Sequence, residues 1–84
     1  MRAFHDGAAE FVPAVERVFG VPPRILDGSR AVLLGDLKLS LEAGERELWL
    51  IETTGPLEHR VGMVEVVEDI ETALQEARRR YLDG

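Results

Sequence analysis

The segment LKLSLEAGERELWLIE, residues 37–52, decides the fold of this chain. In its first arm, apolar and polar side chains alternate with a period of two, which is typical of a strand with one buried face. Ala43-Gly44 interrupts the alternation as a turn would, and the second arm resumes it. Trp49 and Ile51 break the pattern, because they put apolar side chains on the face that should be wet. We therefore expect an antiparallel hairpin with apolar residues on both faces.

The leucines of the two arms predict the register of this hairpin. They share one core only if the loop contains an even number of residues. A short loop at Ala43-Gly44 then pairs Leu39 with Leu48 on the inner face. On the outer face it sets Lys38 opposite Trp49, where the ammonium group would form a cation–π contact of about 0.5–1 kcal/mol.

The residues before the hairpin predict a helix. Apolar side chains recur every three or four positions from Phe4 to Phe19, which is the period of an amphipathic helix. Asp6 is a suitable N-cap, and Gly20 suits the position just after the last turn. Pro13 lacks an amide hydrogen, so it either kinks one long helix, which we favour, or begins a short one.

Three further segments have the composition of strands. Residues 24–26, 31–34 and 60–67 are short apolar runs bounded by turn residues; the first two precede the hairpin and the third follows it. Gly35-Asp36 is either a second turn or a bulge within one long strand over 30–42. We favour the bulge, because it gives two arms of matching length, 30–42 and 46–54.

A second helix is predicted after the strands, starting at Glu68-Asp69. Its apolar stripe consists of Ile70, Ala73, Leu74, Ala77 and Tyr81. The expected fold is therefore a single α+β domain over residues 1–84. It has an antiparallel sheet of about four strands with one helix before and one after it.

Composition limits the classes of function. The net charge of −6 disfavours nucleic acid and anionic membranes as partners, since both repel an acidic surface. The chain contains no cysteine and only two histidines, so we expect no disulfide and no thiolate metal site. No leader or membrane-spanning segment is evident, and we expect a cytoplasmic protein. Nine arginines against one lysine, with no asparagine, resemble the composition of thermophilic proteins, although a GC-rich genome gives the same bias.

Motifs of catalysis are absent from the sequence. The glycines between the two predicted helices are spaced singly at turns or bulges, and none of them begins a helix as a phosphate-binding loop does: Gly28, Gly35, Gly44, Gly55 and Gly62. His59 follows Glu58, but neighbours in a strand point to opposite faces, so the two do not form a dyad. We expect no cofactor and no metal, and an enzyme is the less favoured class.

Arg78, Arg79 and Arg80 form the one basic cluster and give an alternative function, a small domain that binds an anion or ligand. On a helix these side chains fan out by about 100° each, so they do not form one clamp. Glu76 is placed to pair with Arg79 or Arg80. Complementing the helix dipole is the simpler interpretation of the cluster.

Trp49 leaves two arrangements open. If one helix covers each side of the sheet, the indole is part of the core. If both helices cover the leucine face, Trp49 and Ile51 remain partly exposed beside Lys38, as an aromatic anchor in a polar rim. From the second arrangement we predict a protein-interaction module, a homodimer or a partner of another protein, whose interface contains Lys38, Trp49 and Ile51.

Overall fold

A computed structural model describes residues 7–83 and has an antiparallel five-stranded sheet, with one helix before it and one after it in the chain. The elements in chain order are α1 (Gly7–Phe19), β1 (Arg24–Leu26), β2 (Ala31–Leu34), β3 (Leu37–Glu42), β4 (Glu47–Glu52), β5 (His59–Glu65) and α2 (Ile70–Ala77). A 3₁₀ turn over Asp27–Ser29 joins β1 to β2, and a π-helical turn over Arg78–Leu82 extends α2. The strands lie in the sheet in the order in which they occur in the chain. The predicted α+β class and element order are confirmed.

The sheet contains five strands because Gly35-Asp36 forms a turn. Leu34 pairs directly with Leu37, so the two residues between them make a tight hairpin loop, and Gly35 has a φ of 61°. Glycine adopts this left-handed conformation without the steric cost that a side chain adds. The predicted bulge within one strand over 30–42 is wrong, and β2 and β3 are separate strands.

The register of the central hairpin differs from the predicted one by two residues. Leu39 pairs with Leu50, and the loop spans four residues, because Glu42 pairs with Glu47. In that loop Ala43, Gly44 and Glu45 all have positive φ, at 56°, 67° and 70°. The wider loop is also even in length, so the leucines of both arms still share one face.

Both helices lie on the leucine face of the sheet. They pack against each other, and their apolar residues join one core with the leucines of the sheet. The shared core consists of Phe11, Ala14, Val15, Val32, Leu39, Leu41, Leu48, Leu50, Val64, Ile70, Ala73, Leu74 and Ala77. Within residues 7–83 no helix covers the opposite face, which we call the open face.

The first helix ends as its sequence predicts. Gly20 has a φ of 79°, and its amide donates to the carbonyl of Glu16 at 2.8 Å. Pro13 lies inside α1 with its ring exposed, so one helix continues through it. The predicted contributions of Phe4 and Asp6 lie outside the described residues.

The second helix is capped by Asp69, whose carboxylate accepts from the amide of Thr72 at 2.7 Å. This hydrogen bond lowers the pKa of Asp69 below its ordinary value, since it stabilises the charged form. The apolar stripe of α2 is buried except for Tyr81, which is 40% exposed. The phenol ring lies over Gly62 of β5, and its hydroxyl donates to the carbonyl of Met63 at 3.2 Å.

Replacing Gly62 with alanine should destabilise the fold only while Tyr81 is present. A Cβ at this position would stand 2.7 Å from the nearest atoms of the phenol ring, so the ring must leave the strand. We expect a loss of about 1–3 kcal/mol, the usual range for overpacking. In a Tyr81→Ala background the same change should be neutral or stabilising, because alanine restricts the unfolded chain. Urea denaturation of the four proteins measures the coupling, and equal effects of Gly62→Ala in both backgrounds would contradict it.

Candidate functional site

Cross-strand pairing arranges the side chains of the open face in three rows that run across the strands. Directly paired residues point to the same side of a sheet, so each row follows from the register. The central row contains Leu26, Ala31, Ser40, Trp49 and Met63. The basic row contains Arg24, Leu33, Lys38, Ile51 and Arg60. The acidic row contains Glu42, Glu47 and Glu65.

Trp49 stands in the central row and is held in place from both neighbouring rows. Its indole nitrogen donates to Oε1 of Glu47 at 2.9 Å. The guanidinium carbon of Arg60 lies 4.4 Å from the ring centre, which is a cation–π contact. These two contacts orient the ring on the open face, where it remains partly exposed.

Lys38 does not lie over the indole, and the predicted cation–π pair is wrong. Because the register is shifted, Lys38 pairs with Ile51 instead of Trp49. Its ammonium group binds the carboxylate of Glu58, with the nearer oxygen at 3.3 Å. Arg60, from the neighbouring strand, takes the position over the ring.

Ile51 lies on the open face but is only 8% exposed. It stands in the basic row between Lys38 and Arg60, whose long side chains flank it. Such side chains cover apolar surface with their methylene groups while the charge stays in water. Ile51 therefore offers a partner little area, and Trp49 with its neighbours offers more.

Three partly exposed apolar side chains of the open face were missed by the sequence reasoning: Leu26, Leu33 and Met63. Met63 pairs directly with Trp49, so it lies beside the indole. The sequence reasoning lacked the pairing between strands, which decides which residues share a face. Once β5 is aligned with β4, the alternation within residues 59–65 places Met63 on this face.

The acidic row has its own internal contacts. The hydroxyl of Ser40 donates to Oε2 of Glu42 at 2.5 Å, and Glu47 accepts from the indole of Trp49. Glu42 and Glu47 are partly buried, whereas Glu65 is exposed. Two of the three carboxylates are thus held in place by hydrogen bonds from the central row.

The three arginines at the end of the chain diverge, as the helical spacing predicts. Arg79 and Arg80 both bind the carboxylate of Glu76, each at 2.5 Å. These ion pairs lower the pKa of Glu76 below its ordinary value, chiefly through the hydrogen bond from Arg79. Arg78 points elsewhere and donates to the backbone carbonyl of Val18. The anion-binding role of the cluster remains a prediction, and an added anion would compete with Glu76.

His59 is exposed at the start of the edge strand β5. The neighbouring carboxylate of Glu58 binds Lys38. Among the described residues, no three His, Asp or Glu side chains lie close enough together to hold a metal ion. None of the helices described between residues 7 and 83 is long and apolar enough to cross a membrane.

A second apolar surface lies on the helix side of the sheet, beyond the end of α2. It is an open hollow that includes Leu34, Leu37, Val61 and Leu82. Val61 is the extra residue where the pairing of β4 with β5 shifts. The charged residues in its described lining, Asp36 and Glu52, are both acidic, whereas the open face carries charges of both signs.

Comparisons with protein-family models, with curated proteins and with solved structures find no match to this chain. Function is therefore inferred from the chemistry of the open face alone.

Proposed function

We propose that this protein is a small cytoplasmic interaction module that forms a homodimer through the open face of its sheet. The observation that carries the proposal is the position of Trp49, the only tryptophan in the chain. It lies partly exposed in the central row of a face that neither described helix covers. Tryptophan is the residue most enriched among those that dominate binding energy at interfaces.

The side chain of Trp49 already has a fixed orientation in the monomer. Glu47 binds one edge of the indole and Arg60 lies over one of its two faces, so the ring has little freedom left to lose. Binding costs less when the contacting side chain already has its bound conformation. Met63 adds apolar area directly beside Trp49, and Leu33 adds more on β2, two strands away.

A protein partner fits this face better than a nucleic acid does. The net charge of −6 repels phosphate, and the acidic row lies within the same surface. A second copy of the chain is the partner that gains most, because a domain of this size has a small core and association stabilises the folded state.

The size of the face places it among small interfaces. Five strands spaced by about 4.8 Å and three rows about 7 Å apart give a projected area of roughly 500 Å². Stable interfaces bury about 800 Å² of accessible surface on each partner, so this face belongs at the small end of the range. We expect a dissociation constant in the micromolar range.

The wild-type chain should therefore dissociate on dilution, and two signals should report the same transition. Light scattering should give twice the 9.4 kDa monomer mass at high concentration and the monomer mass at low concentration. Emission from the single tryptophan should shift to longer wavelength over the same range, because dissociation exposes the indole to water.

Two outcomes would contradict the proposal. A strict monomer at high micromolar concentration removes the homodimer. A dimer whose dissociation leaves the tryptophan emission unchanged places the interface elsewhere.

A further inference from the structure

Basic and acidic side chains occupy separate rows of the open face. Two copies of this face are therefore complementary in charge in only one orientation. The basic row and the acidic row lie on opposite sides of the central row, and each is four residues from the other along a strand. We propose that the dimer has its two-fold axis along the central row, so that the basic row of one subunit lies against the acidic row of the other. This inference rests on the proposed self-association and adds its geometry.

Only two face-to-face arrangements are open to an aligned pair of sheets. Sheets packed face to face keep their strands within about 30° of each other, so a two-fold axis in the interface runs along the strands or across them. An axis along the strands sets each row against its own copy. Lys38 would then face Lys38, and Glu42 would face Glu42, so like charges meet.

An axis across the strands, along the central row, reverses the order of the rows. At β3, Lys38 of one subunit then faces Glu42 of the other, and the contact occurs twice by symmetry. At β5, Arg60 faces Glu65 in the same way. Trp49 lies on the axis and meets its own copy, so the dimer buries the indole together with Leu26 and Met63, the other partly exposed side chains of the central row. Complementary charges fix the orientation of partners more than they add affinity.

The side chains of this pattern are accessible. Lys38 and Glu42 are partly exposed, and Arg60 and Glu65 are exposed. The ion pair that Lys38 forms within the subunit is to the exposed carboxylate of Glu58. Exposed pairs of this kind are weak and solvated, so they do not prevent contact with a second subunit.

Cysteine cross-linking distinguishes the two axes, since the chain has no cysteine of its own. Two residues that face each other directly across packed sheets are about 10 Å apart. If one of them is displaced by four residues along its strand, the distance becomes about 17 Å. A bismaleimide with a two-carbon spacer bridges the first distance and not the second. The variants are Lys38→Cys, Glu42→Cys and Met63→Cys, each checked for an unchanged thermal transition.

We expect Lys38→Cys and Glu42→Cys to cross-link when mixed and not when either is alone. Met63→Cys should cross-link alone, because its position lies on the axis. Met63 is on a different strand from the other two positions, so a folding defect in one variant leaves the other test intact.

The opposite result overturns the inference without removing the dimer. If Lys38→Cys and Glu42→Cys each cross-link alone while their mixture gives no mixed product, the axis runs along the strands. If light scattering shows a dimer but neither pattern of cross-linking appears, the two subunits do not meet through this orientation of the face. A wild-type monomer removes the proposed function itself.

Discussion

Trp49→Ala should weaken self-association by at least thirty-fold, about 2 kcal/mol, while leaving the monomer folded. The indole is the largest apolar side chain on the open face and lies where the proposed two-fold axis passes. Within the monomer the change removes the hydrogen bond that the indole donates to Glu47 and the cation–π contact with Arg60. At a partly exposed site these are together worth about 1–2 kcal/mol. Light scattering across a dilution series measures the dissociation constant, and circular dichroism checks the fold.

Tyr81→Ala is the matched control for this experiment. It also removes a partly exposed aromatic ring, but Tyr81 lies on the helix side of the sheet, over Gly62. We expect it to leave the dissociation constant unchanged within the error of the measurement. Equal weakening by the two variants would mean that association depends on the stability of the monomer and not on the open face.

Leu50→Ala should unfold a large part of the population at 25 °C. Leu50 is fully buried, in the middle of the sheet, where it pairs with Leu39 and Gly62. Truncating a buried leucine costs about 2–5 kcal/mol, because the surrounding structure closes the cavity only in part. A domain of this size derives only about 3–5 kcal/mol from its core, so the loss is comparable with the whole stability. Urea denaturation followed by circular dichroism gives the free energy of unfolding.

Leu57→Ala provides the same chemical change at an exposed position. Leu57 lies in the loop between β4 and β5 and is 81% exposed. Its truncation should change the free energy of unfolding by no more than about 0.5 kcal/mol. A difference of less than 1 kcal/mol between the two leucine variants would mean that Leu50 is not part of a close-packed core.

Much of the fold could be predicted from local pattern. The three- and four-residue spacing of apolar side chains identifies both helices, and Gly20 and Asp69 mark ends that the structure confirms. The period of two in residues 37–42 identifies a strand and its buried face. Each of these features depends on residues that are close together in the sequence, so it can be recognised without knowing the tertiary contacts.

Turn geometry was harder to predict, and two errors came from it. Gly35-Asp36 suits a bulge as well as a hairpin, and only the pairing of Leu34 with Leu37 distinguishes them. Ala43-Gly44 suits a two-residue loop, but the chain uses four residues. Both loops keep the leucines on one face, so the alternation of side chains does not choose between them.

By itself, the sequence determined that the strands alternate, that two amphipathic helices flank them, and that Trp49 and Ile51 oppose the leucines. The tertiary structure alone decided that both helices pack on the leucine face, so that no helix within residues 7–83 covers the open face. The physical reason is that a helix with one apolar stripe can bury it against either side of a sheet that is apolar on both sides. The choice depends on how α1 and α2 pack together over the sheet, and these helices are far apart in the chain.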